Sequence, residues 1–442
     1  KIATGSSIKS IYFQVGSKVE TFAPNAFSDF TGLEKVIIPD TVTTIGANAF
    51  YNVTAQIVWT GTPRIESIGS YAFARYSGIA SGSGRLQMDV PSQPSTRSIP
   101  DSIKRIEDYA FEYSSIPISW ADESGLTYIG NYAFRGSTAL SFVFGSKLVE
   151  IGQHAFDSAT AITSITLPNS LKKLGAYAFN GCTALANVTV IAGSDIEVIG
   201  TGKTVFDNTA FAGSYSSAAT HTEANHWYGT SGNKVLYLSD NSDANFENCV
   251  KFLLCAESTA DTVTIKSETH VIAEEAFADT AAFATVTFDS SAGTKYINRA
   301  AFRGTNITSA TLPASVKIIS EYAFEGCGYL EDLTVGSSLE EIGDYAFANC
   351  DLGNLMISVS AISLSSIGNY AFYNNPSMEE IELPENIQAE DAKNIIDAYV
   401  SSYQPISDQS EWFAKVKGMC EGLGFCPDVK EYKKNPEMFK GN

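Results

Sequence analysis

The sequence predicts an α/β-type repeat solenoid, a body grown by stacking coils rather than a set of globular domains. Three observations predict it. The hexapeptide IGNYAF occurs at residues 129–134 and again, unchanged, at 367–372. Ala-Phe pairs recur at Phe27, Phe50, Phe73, Phe111, Phe134, Phe156, Phe179, Phe211, Phe277, Phe302, Phe324, Phe347 and Phe372, most of them 22 to 25 residues apart. Between the pairs lie short stretches of alternating apolar residues, as expected of strands whose every second side chain points inward. A fixed period of this length describes units that bury their apolar face only against their neighbours. The 442 residues therefore read as one elongated array over 1–385 followed by a small helical cap over 386–442.

Taken in order, residues 8–27 form a repeat lacking its front, with Ile8, Ile11 and Phe13 leading to Val19, Phe22 and the Ala26-Phe27 pair. The array is thus expected to be entered partway through, and the opening Lys1 to reflect a trimmed N-terminus. The complete unit is clearest in ITSITLPNSLKKLGAYAF (162–179) and ITSATLPASVKIISEYAF (307–324). Ile162, Ile165 and Leu167 belong to a short strand that Pro168 stops, since proline has no amide hydrogen for a ladder. Ser170 and Leu171 start a second short segment, Leu174 returns to the core, Gly175 is expected to free a tight bend, and Ala178-Phe179 closes the turn. Each buried Phe contributes about 1.5–3 kcal/mol of transfer free energy, largely offset by the entropy of ordering its unit, so only stacked units are stable.

Two insertions interrupt the period. Residues 76–98 add a Ser-, Gly- and Pro-rich excursion in which Leu86, Met88 and Val90 alternate as one extra strand. Residues 212–267 carry GNKVLYLSD (232–240) and NCVKFLLCA (248–256), two strands of a hairpin. After Pro384, Ile395, Ile396, Tyr399, Val400 and Tyr403 fall on one face at helical spacing, and Trp412, Phe413, Val416 and Met419 point to a second helix. These are the expected cap.

Composition narrows the function. Twenty-nine basic residues against 49 acidic ones give a net charge of −20, which repels phosphate backbones and anionic lipid surfaces. Nucleic acid is not an expected partner. No apolar run approaches the roughly 18 residues of a membrane span, so no membrane insertion is expected in this segment. Cys182, Cys327 and Cys350 each follow a repeat Phe by three residues and read as small buried hydrophobes. Cys420 and Cys426 are either free or bridged in an oxidising compartment, and the same two readings apply to Cys249 and Cys255.

The units LPNSLKKLGAYAFNGC (167–182) and LPASVKIISEYAFEGC (312–327) closely resemble the BspA-type leucine-rich repeat of bacterial and protist surface proteins, over nearly all of residues 8–384. The inserted segment with KVLYLSD and VKFLLCA resembles the hairpin interruption common in that family. The resemblance implies a curved right-handed solenoid with a parallel β-sheet on one face, secreted or displayed at the cell surface, in proteins associated with adhesion to host matrix, host cells and other microbes. It carries no catalytic residues, because the family's motif residues are core residues.

Other candidate chemistry is sparse. HTEANH (221–226) places two histidines around Glu223 without the helical spacing of a zinc protease, and reads as a solvated loop. DNSDANFEN (240–248) is oxygen-rich but lacks the Gly of a calcium loop's sharp bend, and a hairpin turn accounts for it. His154 and His270 read as exposed substitutions at variable repeat positions. No nucleophile elbow or phosphate-cradling loop occurs. Neither a catalytic site nor a cofactor is expected.

What remains is the outward side of the strand column. Its positions include Lys35, Ile37, Phe142, Phe144, Asp332, Glu380 and Glu382, with Thr recurring at Thr166, Thr189, Thr287, Thr311 and Thr334. Thr suits a pleated surface in its own right. Phe142 and Phe144 are the expected aromatic anchors, with an acidic end near Glu380. The expectation is a monomeric, non-enzymatic adhesion protein that binds a protein or glycan of a host or microbial surface through this face or the hairpin. The alternatives are a spacer or cell-wall scaffold displaying another domain, and a glycan-processing enzyme with its site in the 212–267 insertion.

Overall fold

The fold was analysed in a computed structural model. It describes residues 7–14, 16–59, 64–77, 102–115, 118–119, 125–138, 140–141, 143–213, 225–230, 233–238, 252–258, 262–278, 284–288, 293–357, 363–378 and 380–382. The helical cap expected over 386–442 and the extra strand expected at Leu86, Met88 and Val90 within 76–98 lie outside these residues. The chain divides into two compact units, residues 1–225 with 239–246, and residues 226–238 with 247–442.

Each unit is a parallel β-solenoid. In the first, two-residue strands build one eight-stranded sheet, running from Thr21–Phe22 through Thr44–Ile45, Ser67–Ile68, Arg105–Ile106, Tyr128–Ile129, Glu150–Ile151 and Lys173–Leu174 to Val198–Ile199. A second column holds longer strands: Ser10–Tyr12, Lys35–Ile38 and Gln56–Trp59 pair in parallel, as do Ser164–Leu167 and Asn187–Val190. The second unit repeats the plan, with a six-stranded long-strand sheet from Thr262–Ile265 to Glu380–Glu382. Burial alternates along the long strands as the apolar pattern requires, so that in Ser164–Leu167 the Ser and Thr are exposed and the Ile and Leu buried.

The α/β label needs correction. Helix among the described residues is confined to two single turns, Gly202–Val205 and Ala210–Gly213. The third side of the coil, which contains the Tyr-Ala-Phe segment, is a further hydrogen-bonded ladder. The amides of Tyr132, Phe134 and Gly136 donate to the carbonyls of Gln153, Ala155 and Asp157 in the next coil at 2.9, 2.7 and 2.7 Å. The backbone reaches that geometry by left-handed residues spaced four apart, such as Tyr132 (φ 57°) and Gly136 (φ 63°). Recurring left-handed residues are incompatible with a right-handed helix. The cross-coil hydrogen bonds offset the conformational cost.

The role expected of the repeat glycine also changes. Gly175 is not among the residues of positive φ, and the left-handed residue of its bend is Tyr177 (φ 56°). A Cβ at Gly175 would collide with Gln153 N and Gly152 C and stand 2.7 Å from Gly152 O, all backbone atoms of the preceding coil. Glycine is required there for close approach, not for freedom.

Inside each coil the phenylalanines form a column. Successive rings from Phe50 to Phe73, Phe111, Phe134, Phe156 and Phe179 lie 5.1 to 5.3 Å apart and within 8° of parallel. The next ring is Phe206, at 5.7 Å and 4°, not Phe211 of the Ala-Phe series. The turn Gly202–Val205 delays the Phe, so Val205-Phe206 takes the Ala-Phe place, and Phe211 packs edge-on against Phe206 at 5.0 Å. In the second unit the column runs Phe277, Phe302, Phe324, Phe347 and Phe372, with neighbours 4.7 to 5.5 Å apart. Tyr76, assigned above to the first insertion, is core: it is fully buried and its hydroxyl donates to the Ala55 carbonyl.

The cysteines do more than fill space. Cys182, Cys327 and Cys350 are buried, and their thiols donate to the carbonyls of Phe156, Phe302 and Phe324 in the preceding coil, each at 3.1 Å. At the same coil position Ser137 donates to Phe111 O at 2.7 Å and Asn375 to Phe347 O at 2.9 Å. Where a Cys, Ser or Asn stands at this position it pairs the buried Phe carbonyl, whose loss of a partner would be costly.

The predicted hairpin is present as Asn233–Leu238 antiparallel to Phe252–Ser258, which then pairs in parallel with Val271–Ile272. Val235, Tyr237 and Leu253 join the core cluster of the second unit.

Candidate functional site

Each coil presents two strand faces, and they differ in electrostatics. On the short-strand side, charged residues pair across neighbouring coils: Lys104 with Glu66 at 2.9 Å, Lys173 with Glu150 at 3.0 Å, Lys172 with Asp195 at 2.6 Å and Lys317 with Glu340 at 2.6 Å. Arg105 lies over the Tyr128 ring at 4.0 Å. Exposed pairs of this kind contribute little, about 0–1 kcal/mol each. They do satisfy the charges of that face locally, which leaves little for a ligand to neutralise.

The long-strand side carries most of the predicted site residues, and the two units supply different surfaces. In the first unit Lys35 and Ile37 are half-buried on the outer side of their strand, with Val36 and Ile38 inward. The parallel register sets Ile37 beside Tyr12 on one side and Val58 on the other, and Lys35 between Ser10 and Gln56. Tyr12, Ile37 and Val58 thus form an apolar row on the outer face, in which Tyr12 is 64% exposed. In the second unit Thr264, Thr287, Thr311 and Thr334 stand on the outer face, and Thr264 and Thr287 are joined by a hydroxyl hydrogen bond of 3.0 Å. Asp332 is exposed, and the register continues from it to Asn354 and Glu380, and from Thr334 to Met356 and Glu382.

Phe144 is a correction. It is 6% exposed, and its ring meets Phe156 and Phe179 at 5.8 and 6.4 Å in edge contacts. Val143 is the exposed neighbour, at 47%. A register slip of one residue exchanges the two faces of a strand. Leu140, Phe142 and Phe144 share one wholly apolar parity and Ser141 and Val143 the other, a contrast that Val143 weakens. Counting back from the Leu-x-x-Ile/Leu-Gly end of the unit fixes the register: Leu148 and Gly152 match Leu171 and Gly175, which places Phe144 at the inward position of Leu167. Phe142 lies outside the described residues. The same comparison of KVII with QIVW and SIY would have found the Tyr12–Ile37–Val58 row.

The histidines resolve differently. His154 is no exposed substitution: its ring is stacked between Tyr132 and Tyr177, at 4.6 Å from each, and its Nδ1 lies 2.9 Å from Asp157 Oδ2. His270 is half-buried. Residues 221–224 of HTEANH and all of DNSDANFEN lie outside the described residues. Among the described residues, no three His, Cys, Asp or Glu side chains stand together as a metal-holding group, and no helix is long and apolar enough to cross a membrane.

Comparison with known proteins bears on the repeats directly. The family model described as BspA type Leucine rich repeat region matches in six copies over residues 4–83, 93–212, 252–362 and 295–395. Among solved structures, a leucine rich cell surface protein of Faecalibacterium prausnitzii A2-165 is 20% identical, with a TM-score of 0.36 over 93% of this chain and 90% of that one. A leucine-rich repeat protein of Bacteroides ovatus is 17% identical, with a TM-score of 0.31 over 86% of this chain and 82% of that one. TM-scores this low do not by themselves establish a shared geometry. Among curated proteins, the glutamate–tRNA ligase of Clostridium perfringens is 39% identical over 69 residues, which are 16% of this chain and 13% of that protein. The ligase of Acetivibrio thermocellus is 42% identical over 59 residues, 13% of this chain and 11% of its own length. The chain thus spans roughly an eighth of these curated relatives.

Proposed function

Because this chain belongs to the BspA type leucine-rich repeat family, we propose that it acts as a secreted or surface-displayed binding protein which holds a protein or glycan on the outer face of its long strands. The observation that carries the reading is the apolar row in the first unit: Tyr12, 64% exposed, in register with Ile37 and Val58. An exposed aromatic flanked by aliphatic neighbours and rimmed by Lys35 is the composition of a binding anchor. The long-strand face also lacks the cross-coil ion pairs that occupy the short-strand face, apart from Lys9 with Glu34 at 3.0 Å among the described residues. Contact there displaces little that is already paired.

The test is a binding screen of the full chain against immobilised matrix proteins and a glycan array. Ligands found should bind the double variant Tyr12→Ser, Ile37→Ser at least tenfold more weakly, while Thr334→Ala in the second unit binds as the parent does. Unchanged binding by the double variant would remove this face from the proposal. Circular dichroism of each variant separates lost binding from lost structure.

A further inference from the structure

Cys327 and Cys350 occupy the same position in consecutive coils, three residues after Phe324 and Phe347. Backbone hydrogen bonds before and after the pair join the two coils in register: Gly326 N donates to Ala348 O at 2.8 Å and Gly353 N to Glu331 O at 3.1 Å. Both cysteines are free and buried, and each thiol donates in the same way to the Phe carbonyl of the coil before it, at 3.1 Å. Coils joined by such ladders stand about 4.8 Å apart. Disulfides span Cα–Cα separations of about 4.4–6.8 Å.

We infer that Cys327 and Cys350 form a cross-coil disulfide when the protein folds under oxidising conditions. The chemistry takes a disulfide oxidant such as glutathione disulfide. The thiolate of one cysteine attacks it, forms a mixed disulfide and releases one glutathione. The thiolate of the second then displaces the bound glutathionyl group. One S–S bond forms between the cysteines, the S–S bond of the oxidant breaks, and the two thiol protons end on two glutathione molecules.

The surroundings tolerate the product. Bridging withdraws the two thiol donors from the carbonyls of Phe302 and Phe324. Phe302 O keeps the Thr305 hydroxyl at 2.9 Å and Phe324 O keeps the Cys327 amide at 3.2 Å. No buried carbonyl is orphaned. Timing follows from burial: both thiols are enclosed in the folded coils, where a disulfide oxidant does not reach them. The bond therefore forms during folding, before the coils close. Cys182 is a built-in contrast, because the equivalent positions of its neighbouring coils are Ala159 and Thr209.

The experiment refolds the full chain in a glutathione redox buffer and, in parallel, in reductant. Each sample is then denatured, alkylated and mapped by mass spectrometry. The oxidised sample should yield one linked peptide pair containing Cys327 and Cys350, separable by reductant, with Cys182 alkylated. Its second unit should melt at higher temperature than that of the reduced sample. Alkylation of both Cys327 and Cys350 after oxidative refolding would overturn the inference, as would linkage of either to another cysteine. So would folding that succeeds in reductant but fails in the redox buffer.

Discussion

Replacing Phe144 by Ala separates two descriptions of the same strand. If the ring were an exposed anchor, its loss would change stability by less than about 0.5 kcal/mol. In the structure the ring is 6% exposed and meets both Phe156 and Phe179. Phe to Ala at a core site costs about 3–5 kcal/mol through lost transfer energy and the cavity left behind. Both ring contacts are edge-on at the side of the column, so the low end, about 3 kcal/mol, is expected. Urea unfolding followed by circular dichroism reads it. With a urea slope of about 3 kcal/mol per molar or less, the midpoint should fall by about 1 M or more at unchanged slope. Val143→Ala, at a site 47% exposed, should leave the midpoint within about 0.2 M on the same slope. A loss below about 1 kcal/mol for Phe144→Ala, or the opposite ranking of the pair, would refute the inward placement.

Three further outcomes are expected. Phe324→Ala should cost about 3–5 kcal/mol and Thr311→Ala less than about 1 kcal/mol in the same urea assay, since the first is 1% exposed and the second stands on the outer face; equal costs would contradict the fold. Gly368→Ala should cost about 2–3 kcal/mol by overpacking, because its Cβ would stand 2.5 Å from Gly343 C and Asp344 Oδ1; a neutral or stabilising result would mean that the coils separate more easily than the ladders indicate. Burial pushes the Tyr237 hydroxyl up to about 12, so above pH 10 the unfolded chain loses a proton that the folded one keeps. Stability of the second unit is then fully present below about pH 10 and falls between pH 10 and 12, and Tyr237→Phe should flatten that stretch of a pH–stability curve measured by urea melts.

The core was legible in the sequence because a Phe at fixed period has few places to go. Phe50, Phe73 and Phe134 stack where the Ala-Phe pairs put them. Phe206 is hidden from the Ala-Phe pattern because Val205 fills the Ala place after a turn of two extra residues. The third ladder was not legible, since it rests on tyrosines in left-handed backbone, a conformation ordinarily assigned to glycine. What holds Tyr132 there is the carbonyl of Gln153 in the next coil, a partner that no local window contains. The outer face is readable wherever one parity is wholly polar, as in SITL and DLTV, and less so in SFVF, where Val143 stands with Ser141 opposite two phenylalanines. Tyr12 carries no signal of its own, because an exposed aromatic in a partial repeat gains meaning only from its register with Ile37 and Val58.

The phenylalanine column also bears on how the chain can be lengthened. Phe50 and Phe73 are 23 residues apart and Phe73 and Phe111 are 38 apart, yet their rings are separated by 5.3 and 5.2 Å. Extra residues in that coil leave the ring spacing unchanged. Tyr76 closes the column on one side of the added segment, and Ile103 and Ile106 reopen it on the other, all fully buried. The ring spacing of the first unit is therefore independent of the length of chain between Ser77 and Ser102. A peptide or a small folded module grafted into that interval should leave the melting of the first unit as before.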